Sequence, residues 1–201
     1  MDFQGDGYYP DNHGTSVASV LFSIAPDIKL YSAKVFSTKK SGTLTTVLKA
    51  IEWCIVSDID LVNISFTIKD LSVQSIVEHA VGSMLARGIW TICSAGNYGS
   101  RFMGLPARLD SVLTVGAWHK NNPASFSSRW GNKPDCYYWG INVEVAKLEG
   151  YGTMSGTSIS TPFATGLLAL AREYGILDWN LVKYRLKGKI NPTTRDLKMV
   201  V

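Results

Sequence analysis

The stretch "YGTMSGTSISTPFATG", Tyr151 to Gly166, gathers glycine, serine and threonine and then gives way to "LLALAREYG", an apolar run that reads as a buried helix. Two readings fit it. One is a glycine-rich turn followed by a helix cap; the other is a serine nucleophile held at a helix start. Ser158 falls near the first turn, and Pro162 is tolerated early in such a helix. The partial positive charge of a helix N-terminus would stabilise negative charge developing on a substrate carbonyl. "SGTSIS" is not the G-x-S-x-G elbow, because Ser160 stands where the last glycine belongs.

Upstream of this stretch, apolar periodicity alternates between strand and helix. "IKLYSAKVF" (28–36), "DLVNISF" (60–66), "IWTICSA" (89–95) and "SVLTVGA" (111–117) read as strands. "TLTTVLKAIEWCIV" places Leu44, Val47, Leu48, Ile51 and Ile55 at helical spacing. "VQSIVEHAVGSMLARG" places Val73, Ile76, Val77, Ala80, Val81 and Met84 on one helical face, and Gly88 stops it. Two more helices start near Ser158 and near Asp178. This order predicts an α/β domain with a mostly parallel sheet, whose ligands sit at the carboxyl ends of strands. Residues 1–201 show no repeat, low-complexity segment or linker, and one domain is the expectation.

Composition narrows the function classes. Hydrophobic residues make up 46% and charged residues 18%, which suits a globular chain. A net charge of +4 is too small to point to nucleic acid, and "KYRLKGKINPTTRDLK" reads as a solvated basic tail. The three cysteines, Cys54, Cys93 and Cys136, have no metal-ligand spacing and no even count for a disulfide framework. Neither a signal-peptide pattern nor a membrane-spanning run is visible, so a cytoplasmic location without a membrane partner is expected.

Of the three histidines, His79 lies inside a helical pattern and His119 follows a strand, and both read as structural or loop residues. His13 stands in "DNHGTSVASVLFSIAP", just before a helix that Thr15 or Ser16 can cap, with Gly14 as a sharp turn. A ring held there has the fixed position that a general base needs. Asn97 ends the apolar strand "IWTICSA" at a Gly-Asn pair, where its amide could donate to an oxyanion.

Together these stretches resemble the subtilisin family of serine proteases. "HGTSVAS" resembles the histidine motif, with Ser16 where a second histidine is usual. "LVNISF" resembles the strand leading to the substrate-binding segment, "SAGN" the oxyanion asparagine motif, and "GTSISTPFATG" the nucleophile motif. "LPARLDSVLTVGA" and "ASFSSRWG" match two segments between asparagine and serine. The resemblance implies a three-layer α/β fold with helices on both faces of the sheet. It implies Ser158 as nucleophile, His13 as base, and Asn97 with the Ser158 N–H as oxyanion donors. An extended peptide substrate would lie between Gly42 and the segment Ser65, Phe66 and Thr67, where Thr67 replaces the usual glycine. No cofactor is implied; calcium is frequent in the family, without a site assignable here.

One element of the pattern is missing. The family's catalytic Asp lies on the first strand, before Thr or Ser and Gly. Asp2, Asp6 and Asp11 precede His13, but none follows a strand or has that context. The first strand is therefore expected to be missing or replaced, its slot filled by an N-terminal segment, a second chain or a rearranged "MDFQGDGYY". The function implied is a serine endopeptidase working through an acyl-enzyme. The alternative is a pseudoprotease that serves as a binding or regulatory module.

Overall fold

The computed structural model describes residues 1–5, 12–37 and 42–197. Its central sheet joins β1 (Leu61–Ile64), β2 (Trp90–Ser94), β3 (Leu113–His119) and β5 (Cys136–Trp139) in the order β1-β2-β3-β5, every pair parallel. β4 (Asn122–Pro123) folds back antiparallel on the end of β3. Every residue of β2 is buried, because layers cover both faces of the sheet. Neighbouring side chains part accordingly: Cys93 joins one apolar cluster and Ile92 the other.

Helices α2 (Leu44–Val56) and α3 (Gln74–Leu85) form one layer. Thr43 starts α2 through a reciprocal capping box, its Oγ1 accepting from Thr46 N at 3.2 Å. The buried stripes are Val47, Ala50, Ile51 and Cys54 on α2, and Val77, Val81 and Met84 on α3. Ile76, assigned to that stripe by periodicity, is exposed instead. Gly88, at φ 76°, turns the chain into β2 as its position predicts.

The opposite layer holds α1 (Asn12–Ile24), α4 (Thr157–Glu173) and α5 (Trp179–Leu186). α1 lies against α4, and Gly166 is the point of closest approach. A Cβ there would stand 2.7 Å from Ile24 Cβ and 2.9 Å from Ile24 Cγ2. Gly166→Val is therefore expected to destabilise by about 1–3 kcal/mol through overpacking. The urea midpoint would fall, and an unchanged midpoint would show that the helices can part without cost.

Three expectations are corrected. The segment 28–36 is not a strand: its one ladder contact is an isolated bridge between Lys34 and Asp2. A strand needs partners, and on the side facing β1 this segment has none among the described residues. The basic C-terminal stretch is not a solvated tail, since α5 buries Trp179, Val182 and Leu186, and Leu197 beyond it is also buried. Lys183 and Arg185 are half-buried and donate to the carbonyls of Asp110 and Leu197, while exposed Lys189 pairs with Asp196 at 3.1 Å. Finally, "YGTM" is not part of a turn. It forms β7 (Tyr151–Met154), antiparallel to β6 (Val143–Ala146), a hairpin that the apolar pattern does not announce.

Among the described residues, β1 is the sheet edge. A cleft of about 1680 Å³ opens between β1 and residues 28–37. Among the described residues, no helix is long and apolar enough to cross a membrane.

Candidate active site

Ser158 occupies the first turn of α4, whose N-cap Gly156 takes φ 145°, open only to glycine, and offers no side-chain cap. The missing cap comes from another loop. Asn97 Oδ1 accepts from Thr157 N and from Thr157 Oγ1, each at 3.0 Å, and Gly96 N donates to Thr157 Oγ1 at 3.1 Å. These bonds fix the Asn97 amide beside the start of α4. A Cβ on Gly156 would lie 3.3 Å from Asn97 Nδ2, so a side chain there would crowd the amide. With Oδ1 fully used, Nδ2 remains as a donor at the exposed end of β2. The N–H of Ser158 has no partner among the described residues, as the first turn of a helix allows.

The nucleophile candidate is tied to β1. Ser158 Oγ donates to Ser65 O at 3.1 Å, and Ser65 Oγ donates to Ser158 O at 3.1 Å. The second bond follows from Pro162. A residue four places beyond Ser158 normally donates to its carbonyl, and proline has no N–H to give. Ser65 takes the vacated acceptor. Asn63 Nδ2 donates to Ser65 Oγ at 2.9 Å, and Thr165 Oγ1 donates to Asn63 Oδ1 at 2.9 Å. Thr157, Asn63 and Thr165 were not singled out from sequence; a proline four residues after a candidate serine is the one local signal that pointed their way.

His13 is in the first turn of α1 rather than before the helix, so Gly14 is helical and Thr15 and Ser16 do not cap it. The hairpin holds this end of α1 in place: Asn12 Oδ1 accepts from Leu148 N at 2.6 Å, and Ser16 Oγ donates to Ala146 O at 2.9 Å. Ser16 is buried in a structural bond, which accounts for the serine at that place. His13 and Ser65 line the same cleft. The structure thus ties Ser158 to Ser65 and places Asn97 against Thr157, and His13 shares a cleft with Ser65.

The expected substrate edges also converge. The Phe36 and Phe66 rings meet edge to face at 5.1 Å. Gly42 sits against the Val35 carbonyl and the Phe36 ring, where a Cβ would come within 2.6 Å of Val35 O. Thr67 packs on Gly104, and the next residue, Ile68, pairs with Leu105 in an isolated antiparallel bridge. Asp2 is a turn acid: its Oδ1 accepts from Gln4 N at 2.9 Å and pairs with Lys34 Nζ at 3.3 Å. Asp6 and Asp11 lie outside the described residues. All three cysteines are unpaired and buried, and burial pushes the Cys54 thiol up to about 11, which leaves it protonated. Among the described residues, no group of three or more His, Cys, Asp or Glu could hold a metal ion.

The subtilase family (peptidase S8) matches residues 4–198. The chain belongs to the subtilase family. Subtilisin DY of Bacillus licheniformis is 33% identical over 202 residues, covering 92% of this chain and 73% of that protein. M-protease of Shouchella clausii is 29% identical over 185 residues, covering 87% of this chain and 48% of that one. The chain thus spans about half the length of several curated subtilases that it matches. Among solved structures, a cold-adapted subtilisin-like serine proteinase superposes with a TM-score of 0.76 at 28% identity, over 88% of this chain and 68% of that chain. The prenylagaramide maturation protease PagA gives 0.82 at 24% identity, over 95% and 83%, a likeness of fold. The three-layer arrangement around a parallel sheet is the subtilase fold.

Proposed function

We propose that this chain carries the nucleophile, the base and the oxyanion donors of a serine endopeptidase. Ser158 Oγ attacks the scissile carbonyl and His13 takes its proton. The tetrahedral oxyanion is received by Asn97 Nδ2 and the Ser158 N–H. His13 then protonates the leaving amine, and water releases the acyl group from Ser158. The observation that carries this reading is the bonding of Asn97 through Oδ1 to Thr157. It holds a donor beside the helix start that bears Ser158. A substrate peptide lies extended along Ser65–Thr67 and the Gly42 segment. Its backbone N–H, arriving at Ser65 O, displaces the Ser158 hydroxyl and frees it for His13. The acid that orients His13 comes from outside the described residues.

A fluorophosphonate probe tests this. Attack by Ser158 Oγ displaces fluoride and leaves a phosphonylated serine that intact mass and peptide mapping locate. Labelling is expected at Ser158. Asn97→Ala is expected to slow it by about 10²–10³, the range found for one such donor in subtilisin, a member of this family. A folded chain that stays unlabelled, or labels elsewhere, overturns the reading.

A further inference from the structure

β1 carries a polar side chain where its neighbours carry apolar ones. Asn63 is in register with Ile92 on β2, and Ile92 with Leu113 on β3. Ile92 and Leu113 are fully buried, in one apolar cluster with Ala164, Leu167 and Leu168 of α4. An amide in such a row costs free energy unless its polar atoms are bonded. Both ends of Asn63 are bonded. Oδ1 accepts from Thr165 Oγ1 at 2.9 Å, and Nδ2 donates to Ser65 Oγ at 2.9 Å. Ser65 Oγ gives its one proton to Ser158 O at 3.1 Å. A relay of hydrogen bonds thus leaves α4 at Thr165, crosses to β1, and returns to α4 at the carbonyl of the nucleophile candidate.

The direction of this relay is set at its two ends. Pro162 leaves Ser158 O without its helical donor, so that carbonyl draws the Ser65 proton. The Ser65 oxygen is then an acceptor, and only the Nδ2 end of Asn63 can give to it. Oδ1 is thereby turned to α4, where Thr165 donates. Thr165 Oγ1 also reaches Thr161 O, at the longer distance of 3.2 Å. Among the described residues, no other side chain donates to Asn63 Oδ1. Without the Thr165 hydroxyl the amide is free to turn over and take the Ser65 proton for itself, and Ser158 O loses it.

Two bonds join Ser65 to Ser158, and the chemistry treats them differently. The Ser158 hydroxyl must leave Ser65 O before it can attack. The bond from Ser65 Oγ to Ser158 O is not consumed. Once the first bond is gone, the second holds the helix that bears the nucleophile against the strand that aligns the substrate.

We infer that Thr165 is a positioning residue for attack by Ser158, acting through Asn63 and Ser65. This rests on the endopeptidase reading and adds to it a side chain about two helical turns, roughly 10 Å, from the reacting hydroxyl. Its loss costs alignment rather than affinity, because nothing that grips the substrate is removed.

The test measures fluorophosphonate labelling of Ser158 in the full chain over a range of probe concentrations. This separates the limiting rate, kinact, from the apparent affinity, KI. Thr165→Val keeps the branched shape and removes the hydroxyl. It is expected to lower kinact at least about tenfold, towards the roughly 10² that an ångström of misplacement can cost, with KI unchanged. Thr165→Ser restores the donor and is expected to restore kinact. Asn63→Leu is expected to slow labelling as much as Thr165→Val, and the double variant no further, because the two side chains act as one unit. Thr165→Ala carries the same expectation should Thr165→Val not fold. NMR of the side-chain amides reads the relay without any reference to catalysis: the Asn63 signals are expected to shift or broaden in Thr165→Val and to return in Thr165→Ser. Thr165→Val at the wild-type kinact, or with unchanged Asn63 signals, overturns the inference. So does Thr165→Ser as slow as Thr165→Val, which would mark the site as packing alone. A folded wild-type chain that never labels is instead the failure of the endopeptidase reading, and the positioning role falls with it.

Discussion

His13→Ala is expected to reduce fluorophosphonate labelling of Ser158 to the background of a Ser158→Ala chain, with the double variant no lower than either single one. A serine hydroxyl is a weak nucleophile until a base removes its proton, so neither partner works without the other. In subtilisin itself, removing the nucleophile or the base alone costs about as much as removing the whole triad, on the order of 10⁶ in kcat. Here the hydroxyl rests on Ser65 O, and only a stronger acceptor can draw its proton away. His13 lines the same cleft as Ser65 and starts the helix that packs on α4. Circular dichroism establishes that the variant is folded, since His13 is only partly buried. Labelling of His13→Ala at the wild-type rate would remove His13 from the chemistry and end the serine-peptidase mechanism as written.

Lys133→Met is expected to be the most destabilising single change outside the site. Lys133 is buried, yet its ammonium donates to Asp135 Oδ2 at 2.7 Å and to Val112 O at 3.1 Å. Asp135 Oδ2 also accepts from Thr114 N at 2.7 Å, so the pair ties the start of β3 to the residue that precedes β5. Removing the lysine leaves a nearly buried carboxylate with one backbone donor and strips Val112 O of its partner. Breaking such a pair costs about 3–5 kcal/mol. At about 2–4 °C per kcal/mol for a chain of this size, Tm should fall by roughly 6–20 °C. The Lys133→Met/Asp135→Asn double variant should recover part of that loss, because the orphaned charge is gone. Equal Tm values for wild type and Lys133→Met would show that the pair contributes nothing.

These two sites differ in how far a reader of the sequence could have reached them. The serine, histidine and asparagine stand in local motifs, so Ser158, His13 and Asn97 could be singled out as candidates one stretch at a time. Lys133 and Asp135 looked like two more charges in a loop, because burial is a property of what packs on top of them. Ser65 was legible as a substrate edge but not as the residue bonded to the nucleophile, 93 positions away.

The alternation of apolar periods by itself determined the α/β order, since a period near two or near 3.6 is a local consequence of which faces must be buried. Capping at Thr43 and the stop at Gly88 are local for the same reason. Tertiary structure alone decided that 28–36 is not a strand and that β1 is the edge of the sheet among the described residues. A strand exists only with its neighbour, and no window of sequence contains the neighbour. An acid can orient an imidazole only if the fold brings the two together, which residue type and spacing do not specify.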